Sequence, residues 1–74
     1  MASILLEPGE SFEHFHSEAS YTSVVSGEVR FTSNFESRML AIGERVRVPA
    51  NHSHTVTNVG HTNARVDCIH SEKT

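Results

Sequence analysis

The chain has 74 residues, one cysteine and a formal net charge of −3. A chain this short forms one domain and buries only about 60% of the surface that its unfolded form exposes. Its six basic residues are scattered, which argues against a nucleic-acid partner. No apolar run approaches the roughly 18 to 20 residues of a membrane span, and the first six residues are too short and uncharged for a signal peptide. We therefore expect a soluble cytoplasmic protein with no membrane partner.

The elements predicted along the chain are all strands. Helical spacing of apolar residues is missing, whereas short runs rich in Val, Ile, Thr and Phe alternate with turn residues. Eight strands are predicted, over residues 3–7, 11–16, 21–25, 28–33, 36–41, 45–48, 54–59 and 64–70. Turns this regular indicate an all-β sandwich or closed barrel. We expect a single domain over residues 1–74, with its core over about 3–70 and a disordered tail at 71–74.

The small core needs additional support. Domains of this size usually rely on a disulfide, a metal or a partner subunit. Cys68 is the only cysteine, so an internal disulfide is excluded and a metal or oligomerisation remains. Cys68 alternates with Val66 and is interpreted as a small core residue, because no basic residue is placed to activate it as a nucleophile.

Histidine is the residue type that points to chemistry. His14 and His16 are two apart in a predicted strand, so both imidazoles project from one face and can converge on one ion. His52 and His54 repeat this spacing. Neutral imidazole is a common ligand of transition metals. By chance, however, a chain of this composition contains about half of one such pair, so spacing alone leaves surface histidines as an equal alternative.

Glycines, histidines and a proline recur at set spacings in two segments. The first segment contains Gly9, His14, His16 and Gly27, and the second contains Gly43, Pro49, Asn51, His54 and Asn58. These spacings resemble the two motifs of the cupin family, G-x5-H-x-H-x3,4-E-x6-G and G-x5-P-x-G-x2-H-x3-N.

The two motifs depart from the family pattern at three points. Asn51 replaces a turn glycine, a mild change because asparagine tolerates the left-handed backbone conformation. Four residues instead of five separate Gly9 from His14, which a loop can absorb. Ser20 stands where the family has a glutamate ligand. Without that carboxylate, the ligand set that the resemblance implies is neutral.

The resemblance implies a small cupin-type jelly-roll β-barrel with one divalent transition metal, either iron, zinc, nickel, manganese or copper. His14, His16 and His54 would be the metal ligands. Three histidines leave up to three coordination positions for water or a small ligand. Glu18 and His52 are further ligand candidates, although an exposed glutamate is usually only solvated. His61 and His70 are interpreted as surface residues.

Two functions fit such a barrel. One is a binding module whose metal binds a small polar or carboxylate ligand. The short segment between the two motifs favours this function, because it leaves little chain to cover the site and exclude water, as catalysis generally requires. The alternative is a metal-dependent dioxygenase, isomerase or lyase. Its acid–base candidates are Tyr21, Arg38 and Arg47, for which outward-facing strand positions are the favoured interpretation. An empty barrel with hydrogen-bonded histidines is a third possibility.

The N-terminal strand predicts a homodimer. Residues 4–6, with the sequence Ile-Leu-Leu, are apolar on both faces, which is unfavourable for an edge strand in water. A second copy of the chain would cover this strand and add buried surface to a small core. Two-fold dimers are also the commonest soluble oligomers.

Overall fold

The computed structural model describes residues 2–17, 19–34 and 36–70, without the side chains of Ala2, His16 and His70. The strands of this part of the chain are β1 (Ala2–Leu6), β2 (Ser11–His16), β3 (Ser20–Ser26), β4 (Val29–Ser33), β5 (Ser37–Leu40), β6 (Arg45–Val48), β7 (His52–Asn58) and β8 (Ala64–His70). The prediction of an all-β protein is confirmed. The tail predicted to be disordered, 71–74, lies outside the described residues.

The strands form two antiparallel sheets of four, in the orders β1-β8-β3-β6 and β2-β7-β4-β5. Apart from the hairpin of β4 and β5, each connection passes from one sheet to the other, so strands that are distant in sequence become neighbours. This is the jelly-roll barrel that the sequence predicted. Within the described residues, no helix is long and apolar enough to span a membrane.

Alternation along the strands sends apolar side chains between the two sheets. In β6 the valines are buried and the arginines are exposed, as the Arg-Val-Arg-Val sequence predicts. The buried hydrophobic cluster consists of Leu6, Val24, Val29, Phe31, Leu40, Val46, Val48, Val56, Ala64 and Val66. Ser20, Thr22 and His54 are buried polar residues, and Ser20 and Thr22 lie beside Val48 and Val46 across the pair of β3 and β6. The barrel interior is therefore mainly apolar, with a few polar side chains among its strands.

Asn58 connects the end of β1 to the loop before β8 through hydrogen bonds. Its Nδ2 donates to the carbonyl oxygens of Leu6 at 2.9 Å and Thr62 at 2.8 Å, while its Oδ1 accepts from the Gly60 amide at 2.9 Å. The side chain is 1% exposed, so these bonds satisfy polar groups that water does not reach. The asparagine of the second motif therefore stabilises the fold.

Two turns need a left-handed backbone. Asn51, just before β7, has a φ of 63°, the conformation that its place in the motif predicts. Gly27, between β3 and β4, has a φ of 84°. A Cβ at Gly27 would lie 2.7 Å from the Cβ of Ala64, so this turn needs glycine for space as well as for its backbone conformation.

Candidate metal centre

His14 and His54 lie opposite each other on the adjacent strands β2 and β7. The antiparallel register pairs the two residues directly, and their ring centroids are 5.8 Å apart. Directly paired residues project from the same face of a sheet, and burial of His54 identifies this face as the barrel interior. The structure thus brings together two of the three histidines predicted to bind a metal.

Two aromatic rings hold these imidazoles in place. Phe31, on β4, stacks on the His54 ring with a centroid distance of 5.5 Å and an interplanar angle of 27°. Phe12 meets the His14 ring edge-on, at 4.7 Å and 72°. Packing against rigid rings restricts the rotamers of both histidines, which favours a preformed site.

Cys68 reaches the histidines from the opposite sheet. Its Sγ lies 3.8 Å from His14 Nδ1. One donor atom from each of His14, His54 and Cys68 lies within 4.8 Å of the others, and this trio is the one group with metal-ligating potential among the described residues. The expectation that Cys68 is buried is confirmed, but its position beside the histidines was not predicted.

Burial is the main influence on the Cys68 thiol. It raises the pKa of the thiol above the ordinary value of 9.0, because the charged thiolate loses hydration. The neighbouring Thr22 hydroxyl lowers the pKa of the thiol, and the nearby Asp67 carboxylate raises it. Without a metal, the group is therefore a neutral thiol at neutral pH, in agreement with its interpretation as unreactive.

Ser20 and Thr22 line the same part of the interior from β3. Thr22 pairs with Cys68 across β3 and β8, and Ser20 lies two residues away on the same face. The Ser20 side chain is 1% exposed, and its hydroxyl has no hydrogen-bond partner among the described residues. A buried hydroxyl of this kind suggests a bound ligand or water at the site.

The remaining histidine candidates are placed differently. His16 pairs with His52 in the register of β2 and β7, but the His16 side chain lies outside the described part of the chain, as do Glu18 and the His70 side chain. His52 begins β7, two residues earlier than predicted, and its Nδ1 donates to the Ala50 carbonyl at 2.8 Å. His61 is exposed, as expected.

The three acid–base candidates lie away from the trio. Tyr21 alternates with buried Ser20 and Thr22 and so faces outward, with the Arg45 guanidinium 5.0 Å from its ring centroid. Arg47 is exposed on β6. Arg38 is exposed and lies 3.9 Å from the Glu36 carboxylate. Their interpretation as ordinary strand residues is confirmed.

The donor set is suited to a metal. Imidazole nitrogens and a cysteine sulfur are groups that bind zinc, iron, copper or nickel, and three such donor atoms lie within 4.8 Å of one another here. The three donors lie on strands of both sheets, and the two imidazoles pack against aromatic rings. Together the fold and the site define a small jelly-roll barrel with candidate metal ligands between its sheets.

The model of the cupin domain family, Cupin_2, matches residues 2–70. The chain therefore belongs to the cupin family. No curated protein matches the sequence.

Solved structures show the same fold. The cupin domain of an XRE family transcriptional regulator from Enterobacter cloacae is 27% identical, with a TM-score of 0.80 over 96% of this chain and 79% of that chain. A predicted oxalate decarboxylase from Thermotoga maritima is 25% identical, with a TM-score of 0.78 over 93% of this chain and 64% of that one. A cupin 2 conserved barrel domain protein from Salinispora arenicola, 22% identical with a TM-score of 0.82 over 95% and 60% of the chains, supports the fold alone. The chain thus spans less than two thirds of the latter two.

Proposed function

We propose that this cupin holds one divalent transition metal through His14, His16 and His54 and uses its open coordination positions to bind a small polar or carboxylate ligand. The observation that carries the proposal is the direct pairing of His14 with buried His54 on the interior face of the barrel. His16 follows His14 by two residues in the same strand, which is the spacing that shares a face.

Ligand access follows from the exposure of the site. His54 is buried, whereas His14 is only half-buried, so one side of the proposed centre is open to solvent. An ion with three histidine ligands has further positions for water or an exchangeable ligand, in contrast to a closed structural site. Oxygen donors such as a carboxylate are suitable for these positions.

Binding is favoured over catalysis by the surroundings of the trio. Tyr21, Arg38 and Arg47 do not approach it, so among the described residues the named acid–base candidates have no access to a ligand there. The similar cupin domain from Enterobacter cloacae belongs to a protein named for regulation and not for catalysis, which supports the binding role. The second candidate, a metal-dependent dioxygenase, isomerase or lyase, draws its support from similarity to the predicted oxalate decarboxylase.

Metal content tests the proposal directly. Protein without a histidine tag, loaded with Zn²⁺, Fe²⁺, Mn²⁺, Ni²⁺ or Cu²⁺ and then desalted, should retain close to one equivalent of at least one ion. His14→Ala, His16→Ala and His54→Ala should each lose it, whereas His61→Ala, a change at an exposed histidine, should not. If all five ions are lost from the wild-type protein on desalting, the barrel does not bind a metal.

We further propose that the working unit is a homodimer joined through β1. Among the residues that the structure describes, this strand is hydrogen-bonded to β8 on one side only, and its other edge is open in the sheet order. Leu5 projects from it with 65% of its surface exposed. Pairing with β1 of a second copy would satisfy the open backbone edge and cover Leu5.

A further inference from the structure

We infer that Cys68 is itself a metal ligand, so that the ion is held by imidazole nitrogens and a thiolate and the site selects zinc over oxygen-preferring ions such as manganese. The inference rests on the proposed function, because it assigns one more ligand to the same ion. It also assigns a role to a residue whose sequence context indicates only packing.

The distance between the donor atoms fits a shared ion. Zinc bonds of about 2.3 Å to sulfur and about 2.1 Å to nitrogen, at a tetrahedral angle, place the two donors about 3.6 Å apart. The observed separation of Cys68 Sγ and His14 Nδ1 is 3.8 Å. His54 lies within 4.8 Å of both through one ring nitrogen, so small side-chain movements suffice to bring all three donors to bonding distance.

The Ser20 hydroxyl is a second and independent indication of a ligand. It is buried without a hydrogen-bond partner among the described residues, and it lies on the interior face next to the pair of Thr22 and Cys68. A buried hydroxyl without a hydrogen-bond partner is unfavourable, and a water bound to the ion would supply the missing partner. The interior around Ser20 and Cys68 is thus suited to a bound polar ligand.

Charge and ligand softness determine the choice of metal. The histidines are neutral ligands, and the described donor cluster includes no carboxylate. A Cys68 thiolate adds one negative charge, and its proton leaves to solvent when the sulfur binds the ion. Thiolates favour zinc, whereas oxygen ligands favour manganese, magnesium and calcium.

Cobalt titration separates the inference from the proposed function. Co²⁺ replaces zinc and has two spectroscopic signatures, visible d–d bands from any ordered site and a near-ultraviolet charge-transfer band when a thiolate is bound. Wild-type protein should develop both bands at one equivalent. Cys68→Ser should retain the visible bands and lose the charge-transfer band, while the control His61→Ala should retain both. Circular dichroism of each variant checks that the barrel is folded.

X-ray absorption of the zinc-loaded wild-type protein needs no variant. It should show one sulfur at about 2.3 Å together with nitrogen or oxygen ligands. Visible cobalt bands without charge transfer, or a zinc shell without sulfur, would overturn the role of Cys68 and leave the histidine site intact. If neither cobalt nor zinc binds, the inference about Cys68 fails, and retention of iron, manganese, nickel or copper would still support the histidine site.

Affinity gives the final measure. Cys68→Ser should weaken Zn²⁺ binding by more than about 10-fold, the lower end of what even an outer-shell partner contributes, and should leave Mn²⁺ binding nearly unchanged. Equal losses for the two ions would mean that Cys68 only supports the packing of His14, and they would contradict the inference.

Discussion

The Phe31 ring stacks on the His54 ring, with centroids 5.5 Å apart, and so joins the hydrophobic core to the candidate metal centre. Phe31 is 1% exposed and belongs to the core cluster. The same side chain thus contributes to the stability of the barrel and to the position of a proposed ligand, so changes in the core are expected to affect metal binding.

Replacement of Phe31 by Ala should destabilise the metal-free protein by about 3 to 5 kcal/mol, because it removes buried contacts and leaves a cavity. Urea unfolding followed by circular dichroism measures the change. Phe15→Ala is the matched control, since Phe15 is 60% exposed and its loss should change stability by no more than about 0.5 kcal/mol. Similar effects of the two substitutions would show that Phe31 is not part of the core.

Gly27→Ala should destabilise the fold more than Gly43→Ala does. Both glycines have a positive φ, 84° and 89°, so an alanine at either costs about 1 to 2 kcal/mol in backbone strain. At Gly27 the new Cβ would also overlap Ala64, whereas at Gly43 nothing lies within 4 Å. Overpacking adds about 1 to 3 kcal/mol to the effect of Gly27→Ala. Thermal unfolding of the two variants checks the difference, and equal melting temperatures would contradict it.

Asn58→Asp should destabilise the fold by about 3 kcal/mol or more, because it leaves an unpaired charge and unsatisfied carbonyls in the interior. Aspartate keeps the acceptor for the Gly60 amide but removes the two donated bonds to Leu6 and Thr62. Those carbonyls would then face a buried carboxylate. Asn63→Asp is the control, because Asn63 is exposed in the following loop. The prediction is checked by denaturant unfolding at pH 7. A variant as stable as the control would show that the two hydrogen bonds donated by Asn58 do not stabilise the fold.

Strand periodicity is a local property. The strands could therefore be predicted from the sequence, and so could the shared face of two histidines that are two residues apart in one strand. His14 and His16, or His52 and His54, share a face in any strand. The start of β7 was predicted two residues late, at His54, since its first residues are held by pairing with the end of β2. Which strands become neighbours is determined by packing across the barrel.

Cys68 could not be found in this way. It is 54 residues from His14 in the chain and belongs to the other sheet. Only the packing of the two sheets face to face places its sulfur beside the imidazole. The alternation of Cys68 with Val66 correctly indicated burial, but alternation within one strand carries no information about the side chains of the opposite sheet.

Glutamate at position 20 should strengthen divalent-metal binding by about 10-fold, because a carboxylate adds negative charge close to the ion. Ser20 faces the interior, so Ser20→Glu should also destabilise the metal-free protein, and added metal should restore its stability. Ser23→Glu is the control on the opposite face of β3. Isothermal titration with Mn²⁺ and Zn²⁺ measures the affinities. Unchanged or weaker binding would mean that position 20 does not face the ion.

The proposed dimer depends on Leu5. Sedimentation at micromolar concentration should give about twice the 8.2 kDa mass of the chain. Leu5→Lys should yield a folded monomer, because Leu5 is 65% exposed and its replacement removes apolar surface from the interface without disturbing the core. The new lysine would also lie opposite Arg65 on β8, and like charges across a strand pair disfavour burial of that face by a second copy.

Ile42→Lys is the matched control for this last experiment. Ile42 is also 65% exposed, but it lies in the turn between β5 and β6, away from the open edge of β1. This variant should remain dimeric with an unchanged circular dichroism spectrum. Truncation of β1 is a poorer test, because it would also remove Leu6 from the core. A wild-type chain that is a monodisperse monomer would show that the small core is stable without a partner, and the energetic argument for dimerisation would then be wrong.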